Sequence, residues 1–359
     1  MSQDASLSSA VPTNPAIRYA FADVPAEGAC IRVAPGIKWL RMPLPLALDH
    51  INLYLIANGE GWMIVDCGMK GRNTRDLWLQ VFERELEGKP VNAVLSTHMH
   101  PDHIGQAGWL VGHWNVPFYM TAGEYFCART YSAPVQEMPE EWQHDTYAER
   151  TGMPLEFVRR MRKGTAGFGN IVEPLPRSYR RLYDGLLLDL GDQQWQVVVG
   201  NGHSPEHACL YNAAQKILLS GDQILPQITS NVSVTSTEPD ANPLQDWMDS
   251  LHRLLRLPED ILVCPAHNAP FYGLHARLQE LLAHHEEQLT AIETALAKPQ
   301  TAYELLPVLF RKELQNEQLM MAMGECLAHL NYLFAKGRVR RFLDDKGVQV
   351  YQQQAIASQ

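Results

Sequence analysis

Short stretches of apolar residues, some alternating with polar ones and some continuous, recur through the first three quarters of the chain and predict β-strands. Residues 51–56 and 62–66 form one pair of such stretches, and Asn58-Gly59 between them is typical of a hairpin turn. Further strands are predicted at residues 91–97, 117–120, 186–190, 195–199, 208–211, 216–219 and 261–263. Many strands with few helices between them indicate two sheets with helices on the outside, an αββα sandwich.

The last quarter of the chain has the periodicity of helices. Helices are predicted at residues 275–298, 302–310 and 317–336, and a hairpin with Gly347 in its turn follows at residues 339–351. Three helices and a hairpin are typical of a small winged-helix-like domain. We therefore divide the chain into a flexible tail at residues 1–28, a sandwich domain at residues 29–274 and a winged-helix-like domain at residues 275–359.

Residues 123–183 interrupt the sandwich pattern with charged, aromatic and proline residues. A helical stretch at residues 155–163 ends in the basic cluster Arg159-Arg160-Met161-Arg162-Lys163, so we predict a helical insertion. These cations suit a solvated helix face, and they would also suit a surface that contacts substrate phosphate. The aromatic residues of the insertion, among them Tyr125 and Trp142, would either form its own small core or line an acyl pocket.

The composition is that of an ordinary globular protein. The 359 residues are 46% hydrophobic and 19% charged, which suffices for a large buried core. The formal net charge of −10 argues against general attraction to nucleic acid or anionic membranes. The six cysteines form no CxxC pair, the amino terminus lacks the features of a signal peptide, and no apolar run reaches membrane-spanning length. We therefore expect a cytoplasmic protein.

A cluster of metal-competent side chains directly follows the predicted strand at residues 91–97. Its members are His98, His100, Asp102 and His103. Residues two apart in an extended chain point to the same side, so His98 and His100 can reach one metal ion. The chain then enters a helix, which turns Asp102 and His103 toward a second point nearby. The cluster therefore predicts a metal site at this strand end.

Three more candidate ligands lie at the ends of later strands. His203 and His267 come just after predicted strands, and Asp222 ends one. Glycines beside His203 and Asp222 let the backbone turn toward the site. One metal ion would be held by His98, His100 and His203 and a second by Asp102, His103 and His267, with Asp222 shared between them. Nitrogen and carboxylate ligands suit two Zn²⁺ ions, with iron and manganese as alternatives, and each ion keeps an open position for catalysis.

Asp102 and Asp66 are the carboxylates that we place closest to the catalytic chemistry. Asp102 serves as a ligand, whereas Asp66 ends a predicted strand and should orient the ligand loop through hydrogen bonds. The alternative for Asp66 is a plain strand-capping role. His207, four residues after His203, has no strand-end position, and we expect it at the surface or in the outer shell of the site.

The order of these motifs resembles that of the metallo-β-lactamase superfamily. The matching elements are a strand ending in Asp66, Thr-His-x-His-x-Asp-His at residues 97–103, Gly-His203-Ser, Gly-Asp222 and Pro-x-His267. Members that destroy β-lactam antibiotics often carry cysteine where this chain has Asp222, so the resemblance favours the glyoxalase II-like, lactonase and nuclease branches. The carboxyl-terminal part resembles the winged-helix domain of the subgroup of β-lactamase-like protein 2. The resemblance implies a metallo-β-lactamase sandwich with these residues at its metal centre.

The ligand set and the resemblance together imply a zinc-dependent hydrolase of the thioesterase, esterase or lactonase type. In this hypothesis, a metal-bound hydroxide attacks the carbonyl of a small acyl-type substrate. Two alternatives stay open: a metal-dependent nuclease that cleaves RNA, and a persulfide dioxygenase with a single iron ion. Nine Lys and Arg against ten Asp and Glu in residues 275–359 disfavour nucleic acid as a partner. We expect this region to pack on the sandwich, cover the site or join two copies in a homodimer.

Overall fold

The computed structural model describes residues 15–45, 48–133, 149–154, 157–158, 167–310, 314 and 317–354. The basic cluster at residues 159–163, Trp142 and the first half of the predicted tail lie outside the described residues. The second half of that tail contains strand β1 (Arg18–Tyr19), which pairs with Phe271 and Tyr272. The segment predicted as a flexible tail therefore includes a strand that is hydrogen-bonded to the body of the protein.

The amino-terminal sheet contains seven strands arranged in chain order. They are β2 (Cys30–Ala34), β3 (Ile37–Pro43), β4 (His50–Asn58), β5 (Gly61–Val65), β6 (Val91–Leu95), β7 (Phe118–Thr121) and β8 (Arg180–Leu182). The sequence pattern predicts β4 to β7 and misses β2, β3 and β8, the last of which lies within the predicted insertion. Since β5 to β8 run parallel, their carboxyl ends lie at one edge of the sheet.

Helices cover the outer face of this sheet. They are α1 (Arg72–Arg84), α2 (Pro101–Ile104), α3 (Ala107–Trp114) and α4 (Ala122–Ser132), and the short helix α5 (Phe168–Ile171) follows α4 within the predicted insertion. Trp78 of α1, Leu110 of α3 and Tyr125 of α4 join the same apolar cluster as Ile64 of β5. Tyr125 also donates its hydroxyl proton to the carbonyl of Pro176, so it belongs to the packed outer layer.

The carboxyl-terminal sheet has the strand order β1-β14-β13-β12-β11-β10-β9. Its further strands are β9 (Leu187–Leu190), β10 (Gln193–Gly200), β11 (His207–Asn212), β12 (Ile217–Gly221), β13 (Leu262–Pro265) and β14 (Phe271–Tyr272). β12 and β13 are parallel, and helix α6 (Pro243–Leu254) lies in the connection between them, as parallel strands require. Asp222 and His267 follow the carboxyl ends of these two strands.

Side chains of both sheets alternate between a central core and the outer layers. In β5, Met63 and Val65 pack between the sheets, whereas Ile64 packs against the outer helices. In β12, Leu219 lies between the sheets and Leu218 faces outward. This arrangement confirms the αββα sandwich that the sequence predicts.

Three helices and a hairpin follow the sandwich, in the order that the sequence predicts. They are α7 (Leu274–Ala295), α8 (Ala302–Leu309), α9 (Glu317–Ala335) and the antiparallel pair β15 (Val339–Leu343) and β16 (Gln349–Gln353). Thr301 and Glu304 form a capping box at the start of α8. Apolar side chains of all three helices share one buried cluster with α6 and the outward face of the carboxyl-terminal sheet. This region therefore packs on the sandwich, and its winged-helix character stays a prediction.

Within the described part of the chain, every helix is too short or too polar to span a lipid bilayer.

Candidate metal centre

The seven predicted ligands lie together at the edge of the sandwich where β6, β12 and β13 end, beside the loop after β10. They fall into two sets, in each of which one ligand atom per residue lies within 4.8 Å of the others. We call His98, His100, His203 and Asp222 the first ligand group, and Asp102, His103 and His267 the second ligand group. The structure therefore brings together the residues that the sequence assigns to each metal ion.

Asp222 lies between the two groups. Its Oδ2 atom is 3.5 Å from Nε2 of His203 and 3.8 Å from Nε2 of His98. Its Oδ1 atom is 3.4 Å from Nε2 of His103 and also 3.4 Å from Nε2 of His267. Each carboxylate oxygen thus faces a different ligand group, which is the geometry of a ligand shared between two metal ions.

The donor atoms of each group converge on a common point. In the first ligand group, Nε2 of His98 lies 2.8 Å from Nδ1 of His100 and 3.3 Å from Nε2 of His203. In the second ligand group, Oδ2 of Asp102 lies 3.7 Å from Nε2 of His103 and 3.5 Å from Nε2 of His267. Bonds of about 2.0–2.1 Å in a tetrahedral site place neighbouring ligand atoms roughly 3.3 Å apart. The observed spacings therefore suit a cation in each group.

Two buried atoms at the centre have unmet bonding capacity. Nε2 of His103 and Oδ1 of Asp222 are buried and have no hydrogen-bond partner among the described residues. Buried polar atoms without a partner are costly, and a bound cation would satisfy both. The residues present therefore fit a pair of divalent cations.

Two glycines allow the backbone to present His203 and Asp222. Gly202 has φ +101°, and a Cβ atom there would lie 2.5 Å from the carbonyl oxygen of Pro243 and from Cβ of Trp247. Gly221 has φ +50°, and a Cβ atom there would lie 2.5 Å from the ring of His207. Any larger residue would push these loops away from their neighbours, so the glycines fix where the two ligands lie.

Asp66 orients the loop that carries the early ligands. It has φ +63°, an uncommon conformation for a residue other than glycine. Its Oδ1 atom accepts the N–H of Thr97 at 2.8 Å, and its Oδ2 atom lies 2.8 Å from Nδ1 of His103. The hydroxyl of Thr97 donates to Asp66 and lies 3.1 Å from Nδ1 of His98. The carboxylate thus contacts the ring of His103 directly and reaches the ring of His98 through Thr97, contacts that go beyond plain strand capping.

Backbone carbonyls orient two further histidines. Nδ1 of His267 lies 2.8 Å from the carbonyl oxygen of His50, and Nδ1 of His203 lies 2.8 Å from that of Asn231. A carbonyl can only accept, so Nδ1 carries the proton in both rings. Their Nε2 lone pairs therefore face the centre, as in the outer shells of known metal sites.

Charge distribution prepares both groups for cations. Burial and the neighbouring histidines hold the pKa of His98 well below its usual value, and burial with His203 lowers the pKa of His100 to about 3. Both rings are therefore neutral, the form that binds metal. Burial acts in the same direction on His103, but the carboxylates of Asp66, Asp102 and Asp222 outweigh it and raise the pKa of His103 well above its usual value. The second ligand group therefore favours positive charge.

His207 is an outer residue whose role the sequence pattern does not reveal. Its Nε2 atom accepts the backbone N–H of Asp222 at 3.0 Å, and its ring lies 4.7 Å from the ring of His98. The side chain is fully buried, so the surface alternative is wrong, and its bond to the backbone of Asp222 supports the outer-shell alternative. Finding it requires the pairing of His207 with Gly200 at the start of β11, which depends on the fold.

Comparison with known proteins agrees with this architecture. The family model of the metallo-beta-lactamase superfamily matches residues 46–267, and that of the metallo-beta-lactamase-like C-terminal domain matches residues 289–354. The chain is 42% identical to a beta-lactamase domain protein from Burkholderia ambifaria, whose crystal structure superposes with a TM-score of 0.85 over 94% of this chain and 97% of that one.

Two relatives with descriptive names are more distant. The probable metallo-hydrolase YqjP of Bacillus subtilis (strain 168) is 23% identical, over 86% of this chain and 95% of the relative. The acyl-coenzyme A thioesterase MBLAC2 of Homo sapiens is 26% identical, over 64% of this chain and 75% of the relative.

Proposed function

The chain belongs to the metallo-beta-lactamase superfamily of hydrolases, and we propose that it is a dinuclear metal-dependent hydrolase of thioesters, esters or lactones. The observation that carries this proposal is the position of Asp222, which turns one carboxylate oxygen to each ligand group. A centre for a single metal ion would use only one of these oxygens. Thioesters come first among the substrates because the human relative is named an acyl-coenzyme A thioesterase.

Two zinc ions suit the donor set. The first ligand group would hold one ion and the second ligand group the other, with Asp222 contributing one oxygen to each. Imidazole and carboxylate donors without thiolate favour zinc among the common catalytic metals. When bound, the ions would supply Lewis acidity, which acidifies water and polarises a carbonyl group.

The chain's own residues orient three of the ligand histidines and the shared carboxylate. Asp66 keeps the proton of His103 on Nδ1, which leaves the Nε2 lone pair for the centre. The carbonyl of His50 likewise keeps a proton on Nδ1 of His267, and the carbonyl of Asn231 keeps one on Nδ1 of His203. His207 fixes the backbone of Asp222 and thereby the direction of its carboxylate. The donors are therefore arranged before any ligand binds, which reduces the cost of assembling the site.

The exposure of the ligands indicates the side from which substrate approaches. His98, His103 and His267 are buried, whereas His100 and Asp102 are only half-buried. We therefore propose that an acyl group reaches the centre from the side of His100 and Asp102.

The two alternative activities have less support. A persulfide dioxygenase with a single iron ion gives no role to the second ligand group. A nuclease would use both groups, so RNA belongs in the test. The carbonyl hydrolase is favoured over the dioxygenase because it employs both groups, and over the nuclease because it agrees with the name of the human relative.

The test is an activity panel of acyl-coenzyme A thioesters, esters, lactones and RNA, run with zinc on the wild-type chain and on Asp222→Ala. Loss of the shared ligand should lower activity by more than about 100-fold, beyond the 10–100-fold typical of outer-shell changes. Asp260→Ala is the matched control, because Asp260 is an exposed carboxylate that pairs with Lys216 away from the centre. A chain that binds two metal ions but hydrolyses no carbonyl substrate would refute the proposal, as would activity that survives Asp222→Ala.

A further inference from the structure

We propose that Glu124 is a positioning residue that clamps together the two loops of the first ligand group and thereby controls the binding of one of the two metal ions. The inference rests on the two-metal centre of the proposed function. It concerns a residue that contacts none of the seven ligand side chains directly and acts through the backbone beside them.

Glu124 lies in the first turn of α4 and is completely buried. Its Oε2 atom accepts the backbone N–H of Met99 at 2.9 Å. Its Oε1 atom accepts the hydroxyl proton of Ser204 at 2.6 Å and the backbone N–H of Glu206 at 2.7 Å. One carboxylate therefore receives three hydrogen bonds from two loops that are distant in the sequence.

These contacts fall directly beside ligands. Met99 lies between His98 and His100, and Ser204 directly follows His203. The three histidines of the first ligand group therefore sit on the two loops that Glu124 joins. The N–H of Ala208 also donates to the carbonyl of Thr97, and this backbone bond would remain when Glu124 is replaced.

The chemistry of the contact requires a carboxylate. Burial raises the pKa of Glu124, and the hydrogen bonds from Ser204, Glu206 and Met99 act against this rise. Bonds to a carboxylate are roughly twice as strong as neutral ones. An amide of the same shape would turn its own NH₂ group toward one of the three donors, so a glutamine could not hold both loops. The start of α4 is itself fixed, because the N–H of Gly123 donates to Oε2 of Glu206.

The second ligand group has different outer partners. His103 is oriented by Asp66, and His267 is oriented by the carbonyl of His50. Neither contact involves α4. Removing the clamp should therefore weaken the binding of the metal ion in the first ligand group and leave the binding of the other ion unchanged.

The experiment is a zinc titration of Glu124→Gln against a competing chelator, with stepwise dissociation constants for the two ions and metal content after dialysis. We expect one dissociation constant to rise by about 10–100-fold and the other to stay as in the wild type. The absorption spectrum of the cobalt-substituted protein should lose the contribution of one ion. Tyr125→Phe is the matched control: it removes one hydrogen bond from the same helix, to Pro176, and should leave both constants unchanged.

Two milder variants keep the inference testable if Glu124→Gln fails to fold. Ser204→Ala removes one of the three donors, and Glu124→Asp keeps the charge on a shorter side chain. Both variants should raise the dissociation constant of the same single ion, and by less than Glu124→Gln does. Unchanged constants, or an equal loss of both ions, would overturn the clamp.

The outcomes separate this inference from the proposed function. A wild-type chain that binds two ions without hydrolysing any carbonyl substrate ends the proposed function, while a selective loss in Glu124→Gln still supports the clamp. A wild-type hydrolase whose two ions are unaffected by Glu124→Gln ends the clamp alone. A wild-type chain that binds no zinc overturns both.

Discussion

The two ligand groups have the same kinds of donor atom but different supports. In the second ligand group, His103 is oriented by the carboxylate of Asp66 at the end of β5, and His267 by the carbonyl of His50 in β4. Both partners belong to the hydrogen-bonded amino-terminal sheet. In the first ligand group, His203 is oriented by the carbonyl of Asn231, which lies in the long connection after β12.

The carboxyl-terminal helices hold this connection in place. Val234 donates its N–H to the carbonyl of Gly324 in α9 at 3.0 Å, and Arg277 in α7 donates to the carbonyls of Leu225 at 2.7 Å and Ile228 at 2.8 Å. Together with Glu124, these contacts make the first ligand group dependent on loops and helices, whereas the second depends on strand ends. The region after residue 274 therefore supports the first ligand group specifically.

The largest effect is expected from Gly202→Ala, which changes the loop that carries His203 of the first ligand group. The added Cβ atom would overlap Pro243 and Trp247 at a backbone φ that favours glycine. We expect the free energy of unfolding to fall by about 2–5 kcal/mol and the first ligand group to lose its ion. Chemical denaturation and metal analysis measure both.

Gly112→Ala is the control for that substitution. Gly112 lies within α3, where an added Cβ atom meets open space, so alanine should be neutral or stabilising by up to about 1 kcal/mol. If Gly202→Ala kept wild-type stability and both ions, the loop would be less constrained than the contacts of Gly202 indicate.

Asp66→Asn should affect the opposite half of the centre. The substitution keeps the shape but removes the charge that stabilises His103, so we expect the ion of the second ligand group to bind about 10–100-fold more weakly. The binding of the first ion should be weakened less, because Asp66 reaches His98 only through Thr97. Stepwise zinc titration distinguishes the two, with Asp184→Asn as the control because the hydrogen bond described for Asp184 goes to the backbone N–H of Val199 and not to a ligand. Loss of the first ion instead would contradict the assignment of supports.

The smallest effect is expected from Glu325→Gln, which touches the support of His203 only through the side chain of Asn231. Burial raises the pKa of Glu325 to about 7, against the hydrogen bonds from Asn231 and Gln288. A carboxyl group with a raised pKa favours the folded state when protonated, so this contribution is present below its unfolded pKa and is lost as the pH rises through about 7.

Thermal unfolding between pH 5 and pH 8 tests this sign, over a window set by the unfolded and folded pKa values of Glu325. The Tm of the wild type should fall by a few degrees over this range and that of Glu325→Gln should not, since the Tm of a protein of this size changes by roughly 1–2 °C per kcal/mol. Parallel pH profiles of the two proteins would show that Glu325 does not titrate in this range.

The sequence predicts most of the site because its ligands follow local rules. His98, His100, Asp102 and His103 are recognisable from their spacing, and His203, Asp222 and His267 from strand ends with adjacent glycine or proline. The outer residues follow no such rule. Glu124 is one acidic residue in a helix, and His207 acts through a backbone N–H fifteen residues away, so both roles require the tertiary structure.

In the fold, too, some elements follow local rules and others do not. The strands β4 to β7 have clear apolar runs, and the parallel arrangement of β5 to β7 follows from the helices between them. The strand β3 was missed because Lys38 and Arg41 interrupt its apolar pattern, although Lys38 is buried against Glu87 and Trp62 and Arg41 bonds Asn52. Such charged positions are explained only by partners on other elements, which a single sequence does not reveal.

Anomalous diffraction from a crystal grown with zinc would show whether Asp222 joins two metal ions. We expect two zinc peaks per chain, roughly 3.5–4 Å apart, one in each ligand group and each bonded to a different oxygen of Asp222. A single peak, or a carboxylate of Asp222 turned away from either ion, would contradict it.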